Sequence, residues 1–121
     1  MEKILIIEDE KILAEMYRDK FTQAGFEVVL AFDSKEGLEM TKKEKPDLII
    51  LDILLPKENG ITFLTWLRET PEISSLPVVA FSNYDDPETK KRALELGVKD
   101  YLIKTNYTPK EIVEKIKNYL L

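Results

Sequence analysis

Four separate apolar runs in this chain each stop at a polar residue, and that recurrence limits the possible folds more than any other feature. Ile4 to Ile7 leads into Glu8-Asp9, Leu48 to Leu51 into Asp52, Val78 to Phe81 into Ser82, and Tyr101 to Ile103 into Lys104. Short unbroken runs of Ile, Val and Leu suit parallel strands buried on both faces, and open parallel sheets gather their ligands beyond the strands' carboxyl ends. If the runs are parallel neighbours, Glu8, Asp9, Asp52, Ser82 and Lys104 converge.

The intervening segments carry helical periodicity. Ile12, Leu13, Met16, Tyr17, Phe21 and Ala24 recur at three- and four-residue steps, and Gly25 is placed to close that helix. A further strand, Val28 to Ala31, follows. Asp33 with Glu36 reads as a capping box for a weaker helix to about Lys43, in which Gly37 is a mild defect. Lys45-Pro46-Asp47 forms the next turn. After Asn59-Gly60, a helix carries Ile61, Phe63, Leu64 and Leu67 on one side and ends near Pro71. Asp86-Pro87 opens a helix that Gly97 closes. Thr108, Pro109 and Glu111 open the last, whose stripe is Ile112, Val113, Ile116, Tyr119 and Leu120.

Five strands alternating with five helices imply right-handed crossovers and an α/β fold: a doubly wound five-stranded parallel sheet with helices on both faces. Order 2-1-3-4-5 is chosen because it sets the first and third strands side by side at the switch point. It is borrowed from known sheets of this architecture and is not dictated by the residues.

With 121 residues, 44% of them apolar and 34% charged, and no repeat or linker-like tract, residues 1–121 read as one domain. The net charge of -5 disfavours a nucleic-acid surface; Lys42-Lys43 and Lys90-Lys91-Arg92 read as solvated helix faces. Without Cys or His, carboxylates, hydroxyls and Lys must carry any chemistry. Met1-Glu2-Lys3 runs straight into strand-like sequence and no apolar stretch nears ~18 residues, so neither a signal peptide nor a membrane span is expected. A cytoplasmic location is the default expectation.

Three carboxylates about 5 Å apart repel by roughly 3 kcal/mol per pair at an effective dielectric near 20. A hard divalent cation offsets that repulsion, and Mg2+ takes one or two carboxylates, waters and phosphate oxygens. Lys104 adds a mobile positive charge for a phosphoryl group and Ser82 a hydroxyl donor, so one carboxylate can act as nucleophile and form an acyl phosphate.

These residues carry a resemblance over essentially the whole chain. I-L-I-I-E-D-E at Ile4 to Glu10, D-I-L-L-P at Asp52 to Pro56, N-G at Asn59-Gly60, F-S at Phe81-Ser82 and Y-L-I-K at Tyr101 to Lys104 together resemble a two-component response-regulator receiver domain. Each is weak alone, and the set in this order is specific. The resemblance implies a flavodoxin-like sheet and a Mg2+ (or Mn2+) site. In it Asp52 accepts the phosphoryl group, Asp9 binds the ion directly, Glu8 through water, and the backbone carbonyl of Leu54 completes the ligands. Lys104 would pair with the phosphate. Ser82 and Tyr101 would form a switch, the ring turning inward as the hydroxyl moves. The face of helix four, strand five and helix five would then be read by a downstream protein partner or a C-terminal output domain. The donor would be a sensor histidine kinase or a histidine phosphotransfer protein, with no direct contact to nucleic acid or membrane and no turnover enzymology beyond the domain's own phosphoryl chemistry.

Two positions depart from the family's usual pattern. Thr105 stands where a Pro normally follows the Lys, so a cis bond there would cost about 3 kcal/mol instead of under 1. Asn83 and bulky Tyr84 follow Ser82, where a small residue is usual. Leu54 and Tyr84 are expected to flank the approach to Asp52 and to prolong the acyl phosphate.

Other classes fit worse. A haloacid-dehalogenase-like phosphatase needs an Asp where Leu54 stands, and an FMN binder needs a phosphate loop where Glu8-Asp9-Glu10 would repel phosphate. No G-x-x-x-x-G-K motif is present for a P-loop. The alternative kept open is a receiver-shaped interaction module that is never phosphorylated.

Overall fold

The computed structural model describes residues 1–120. Five strands alternate with five helices: β1 (Lys3–Ile7), α1 (Lys11–Gln23), β2 (Glu27–Ala31), α2 (Ser34–Glu44), β3 (Leu48–Leu51), α3 (Gly60–Glu69), β4 (Val78–Ser82), α4 (Pro87–Glu95), β5 (Asp100–Ile103) and α5 (Pro109–Leu120). A single 3-10 turn, Lys104–Asn106, joins β5 to α5. All neighbouring strands are parallel, in the order β2-β1-β3-β4-β5. The expected doubly wound sheet and its strand order are therefore what the chain forms.

The apolar runs are continuous because the pleat sends successive residues to opposite faces and both faces are covered. Leu5 and Ile7 of β1 join Ile49, Leu51, Phe63, Leu64 and Leu67 in the core beneath α2, α3 and α4. Ile4 and Ile6 join Tyr17, Phe21, Ile50, Phe81, Ile112 and Ile116 in a second core beneath α1 and α5. The edge strand β2 is only partly buried, apart from Ala31.

Helix ends follow local chemistry. Asp33, Asn59 and Asp86 each accept a hydrogen bond from the backbone N–H three residues on, capping α2, α3 and α4. Thr108 and Glu111 exchange reciprocal bonds at the start of α5. At α2 the box is displaced: Glu36 accepts from the Phe32 N–H, one residue before the cap. Gly25 and Gly97 close α1 and α4 in the left-handed region.

One expectation is corrected. Gly37 is no defect in α2 but the point where that helix touches the sheet: a Cβ there would lie 2.7 Å from Cδ1 of Ile7 and 3.3 Å from Cε1 of Phe63. The loss in helix propensity is accepted for close packing.

Candidate functional site

The register of the sheet assembles the site. Ile7 of β1 pairs with Leu51 of β3, so Glu8 and Asp52 emerge side by side, with the Asp52 N–H donating to the Ile7 carbonyl at 3.0 Å. Ser82 is the last residue of β4 and pairs with Ile103, after which Lys104 begins the 3-10 turn. Carboxylate oxygens of Glu8, Asp9 and Asp52 all lie within 4.8 Å of one another.

Burial divides these groups. Glu8 and Asp52 are 3% and 7% exposed and Ser82 is fully buried, whereas Asp9 opens to solvent. Beneath them Ile6, Ile50, Tyr17, Phe21 and Phe81 line a cavity of about 10 Å³, an apolar floor that strengthens the fields above it.

Lys104 reaches into this site. Its ammonium pairs with Oε1 of Glu8 and lies 3.1 Å from Oδ2 of Asp52. The second oxygen of each carboxylate accepts from the backbone two residues on: Glu8 Oε2 from the Glu10 N–H at 3.1 Å, Asp52 Oδ1 from the Leu54 N–H at 3.2 Å. Burial pushes the Glu8 carboxyl above its ordinary range, with Lys104 opposing. Burial works against the Lys104 ammonium too, but Asp52 and Glu8 outweigh it and hold its pKa above the usual lysine value.

The donor set fits a hard divalent cation. Three carboxylates face one ammonium, a net excess of two negative charges made entirely of oxygen ligands, with Asp9 on the open side. Gly60 keeps the wall tight: a Cβ there would lie 2.8 Å from Cα of Ile53 and 2.9 Å from the Asp52 carbonyl oxygen.

Ser82 and Tyr101 meet through one residue. The Tyr84 N–H donates to Ser82 Oγ at 3.2 Å, and the Tyr101 hydroxyl donates to the Tyr84 carbonyl at 2.6 Å. The Tyr101 ring lies inward, 7% exposed, and Lys90 Nζ stands 5.9 Å from its centroid. Burial, followed by the charges of Asp52, Asp85 and Asp86, pushes the Tyr101 phenol up to about 12. Leu54 and Tyr84 are both exposed, at 51% and 39%.

Glu8, Asp9, Asp52 and Lys104 thus come together, Ser82 ends the neighbouring strand β4, and Tyr101 is linked to the loop that follows it. Trp66 lines a groove with Lys35, Leu38, Glu69 and Thr70 between α2 and α3. Sequence reading missed the two backbone amides that fix the carboxylates, because every residue offers one. It also missed the bond from the Thr105 N–H to Asn83 Oδ1 at 3.2 Å, although both residues stood out as departures from a pattern. Among the described residues every peptide bond is trans, including Lys104-Thr105.

A doubly wound α/β domain with an acidic, lysine-bearing pocket at its switch point is the class these features define. The chain belongs to the response regulator receiver domain family, whose pattern it matches over residues 4–117. It is 34% identical to the alkaline phosphatase synthesis transcriptional regulatory protein PhoP of Bacillus subtilis (strain 168) over 98% of its own length and 48% of that protein. It is 29% identical to the polar-differentiation response regulator DivK of Brucella anthropi, covering 97% of this chain and 94% of that one. The chemotaxis protein CheY4 of Vibrio cholerae superposes with a TM-score of 0.89 at 25% identity, covering 98% of both chains. The chain therefore spans about half of PhoP and nearly all of DivK.

Proposed function

We propose that Asp52 is a phosphoacceptor in two-component signalling, taking its phosphoryl group from a phosphohistidine of a sensor kinase or a histidine phosphotransfer protein. The observation that carries this reading is the placement of Asp52: 3.1 Å from the Lys104 ammonium, beside Glu8 and Asp9, at the end of a buried strand. An Asp52 carboxylate oxygen attacks phosphorus, the P–N bond breaks with the imidazole as leaving group, and the resulting acyl phosphate, a mixed anhydride, stays activated toward hydrolysis or transfer.

Each neighbour has a separable task. Asp9, Asp52 and the Leu54 carbonyl, with Glu8 through water, would hold Mg2+ or Mn2+, which supplies charge neutralisation for the transferring group. Lys104 exchanges its bond to Asp52 for a phosphoryl oxygen, and Ser82 offers its hydroxyl to another. Drawing Ser82 toward phosphorus pulls on the Tyr84 peptide, whose carbonyl holds Tyr101. Phosphorylation is thereby coupled to the α4-β5-α5 face, which a downstream partner or an attached output domain reads. The domain acts in the cytoplasm as a signalling element and assists its own phosphorylation and dephosphorylation. Among the described residues no helix is long and apolar enough to cross a membrane.

Incubation with acetyl phosphate and Mg2+, followed by assay for base-labile phosphate, tests this. Label is expected on the parent and absent from Asp52→Asn; equal labelling of both would reject the assignment.

A further inference from the structure

The two departures from the family pattern meet in the folded chain. Asn83 follows Ser82 at the end of β4, Thr105 follows Lys104 at the end of β5, and Asn83 Oδ1 accepts from the Thr105 N–H at 3.2 Å. Each supplies half of the bond. A Pro at 105 would have no N–H to donate, and a residue such as Ala at 83 would have no acceptor.

This bond sits where the sheet offers least support. Lys104 leaves β5, an edge strand, and enters a single 3-10 turn, a geometry that is weakly held on its own. The Thr105 N–H is the first backbone donor after Lys104. Anchoring it fixes the Cα from which a flexible four-carbon stem must reach Glu8 and Asp52.

We propose that Asn83 is the positioning residue for Lys104. By holding the Thr105 amide it fixes the turn that begins at Lys104, keeps the ammonium between Glu8 and Asp52, and ties the Ser82 and Lys104 segments into one unit. The second consequence, that both phosphoryl contacts then move together, rests on the phosphoacceptor reading above; the first does not.

The test compares Asn83→Ala with Asn83→Asp, which retains the acceptor oxygen. Asn83 and Thr105 are both exposed, so neither variant disturbs the core. One arm needs no phosphoryl chemistry: amide exchange at Thr105 and the Lys104 ¹⁵Nζ resonance, read by NMR. Asn83→Ala is expected to speed Thr105 exchange roughly fivefold, the size of one lost hydrogen bond, and to move the Lys104 signal toward that of a solvated lysine. Asn83→Asp should leave both near the parent. An unmoved Lys104 signal in Asn83→Ala overturns the proposal.

The second arm uses beryllofluoride with Mg2+ as a phosphoryl mimic. Affinity should fall about fivefold in Asn83→Ala but less than about twofold when Lys104 is already Ala, because the effect passes through that lysine. An equal loss in the Lys104→Ala background also overturns it. A parent that neither binds beryllofluoride nor takes label from acetyl phosphate would refute the phosphoacceptor reading, while the NMR arm still decides the role of Asn83.

Discussion

The hydroxyl of Tyr101 donates to the backbone carbonyl of Tyr84 at 2.6 Å, while the amide of the same Tyr84 is held by Ser82 Oγ. A single residue therefore links the two ends of the proposed switch, and the aromatic ring is already inward. Tyr101→Phe should free the ring from the loop at a cost of about 1 kcal/mol in stability. Relaxation-dispersion NMR should show new exchange in residues 83–87, and a loop as quiet as the parent's would contradict the link.

Alkaline pH offers a second handle. An unfolded tyrosine loses its proton near pH 10, whereas the folded Tyr101 phenol is pushed up to about 12. Between those values the unfolded chain has released a proton that the folded chain retains, so stability falls as pH rises from about 10 to 12, by up to roughly 3 kcal/mol. Burial and Asp100 push Tyr119 in the same direction. Urea midpoints across this window should drop for the parent and drop less for Tyr101→Phe.

Metal affinity should separate the two acidic neighbours. Asp9 is exposed and carries no ion pair among the described residues, while Glu8 is bound to Lys104. Calorimetric titration with Mg2+ is expected to show a larger loss for Asp9→Ala than for Glu8→Ala. In Lys104→Met, removal of a positive charge a few ångströms away should tighten Mg2+ severalfold while slowing phosphorylation. Weaker Mg2+ binding in that variant would contradict the electrostatic account.

Gly60→Ala tests the wall of the site. Its added methyl would meet backbone atoms of Ile53 and Asp52 at 2.8 and 2.9 Å, so the strand end must shift. Helix propensity alone favours Ala, yet a loss of about 1 to 3 kcal/mol is expected. Denaturation showing equal or greater stability would refute the contact.

The acyl phosphate on Asp52 should be long-lived for this family. Its hydrolysis needs a positioned water; Leu54 has no polar atom to orient one and Tyr84 is large enough to cover the phosphoryl group, and both side chains are exposed. Leu54→Asn with Tyr84→Glu should speed dephosphorylation about tenfold, equal to about 1.4 kcal/mol of barrier. Unchanged or slower loss of phosphate, with Mg2+ saturating, would defeat the idea.

Much was written locally in the chain. Runs such as Ile4 to Ile7 and Leu48 to Leu51 specify buried parallel strands because a two-residue pleat with both faces covered leaves no polar position. Caps at Asp33, Asp86 and Thr108 are legible because each satisfies backbone within three residues, whereas Asn59 reads as a loop residue and its cap on α3 emerges only in the fold. The convergence of Glu8, Asp9, Asp52, Ser82 and Lys104 follows once the strands are parallel neighbours. What local sequence cannot encode is proximity between segments far apart along the chain. Only the tertiary structure decided that Gly37 is a packing contact with Ile7 and that Trp66 lines a groove between α2 and α3. The same holds for Asn83 and Thr105, whose bond exists because β4 and β5 end side by side, 22 residues apart in sequence.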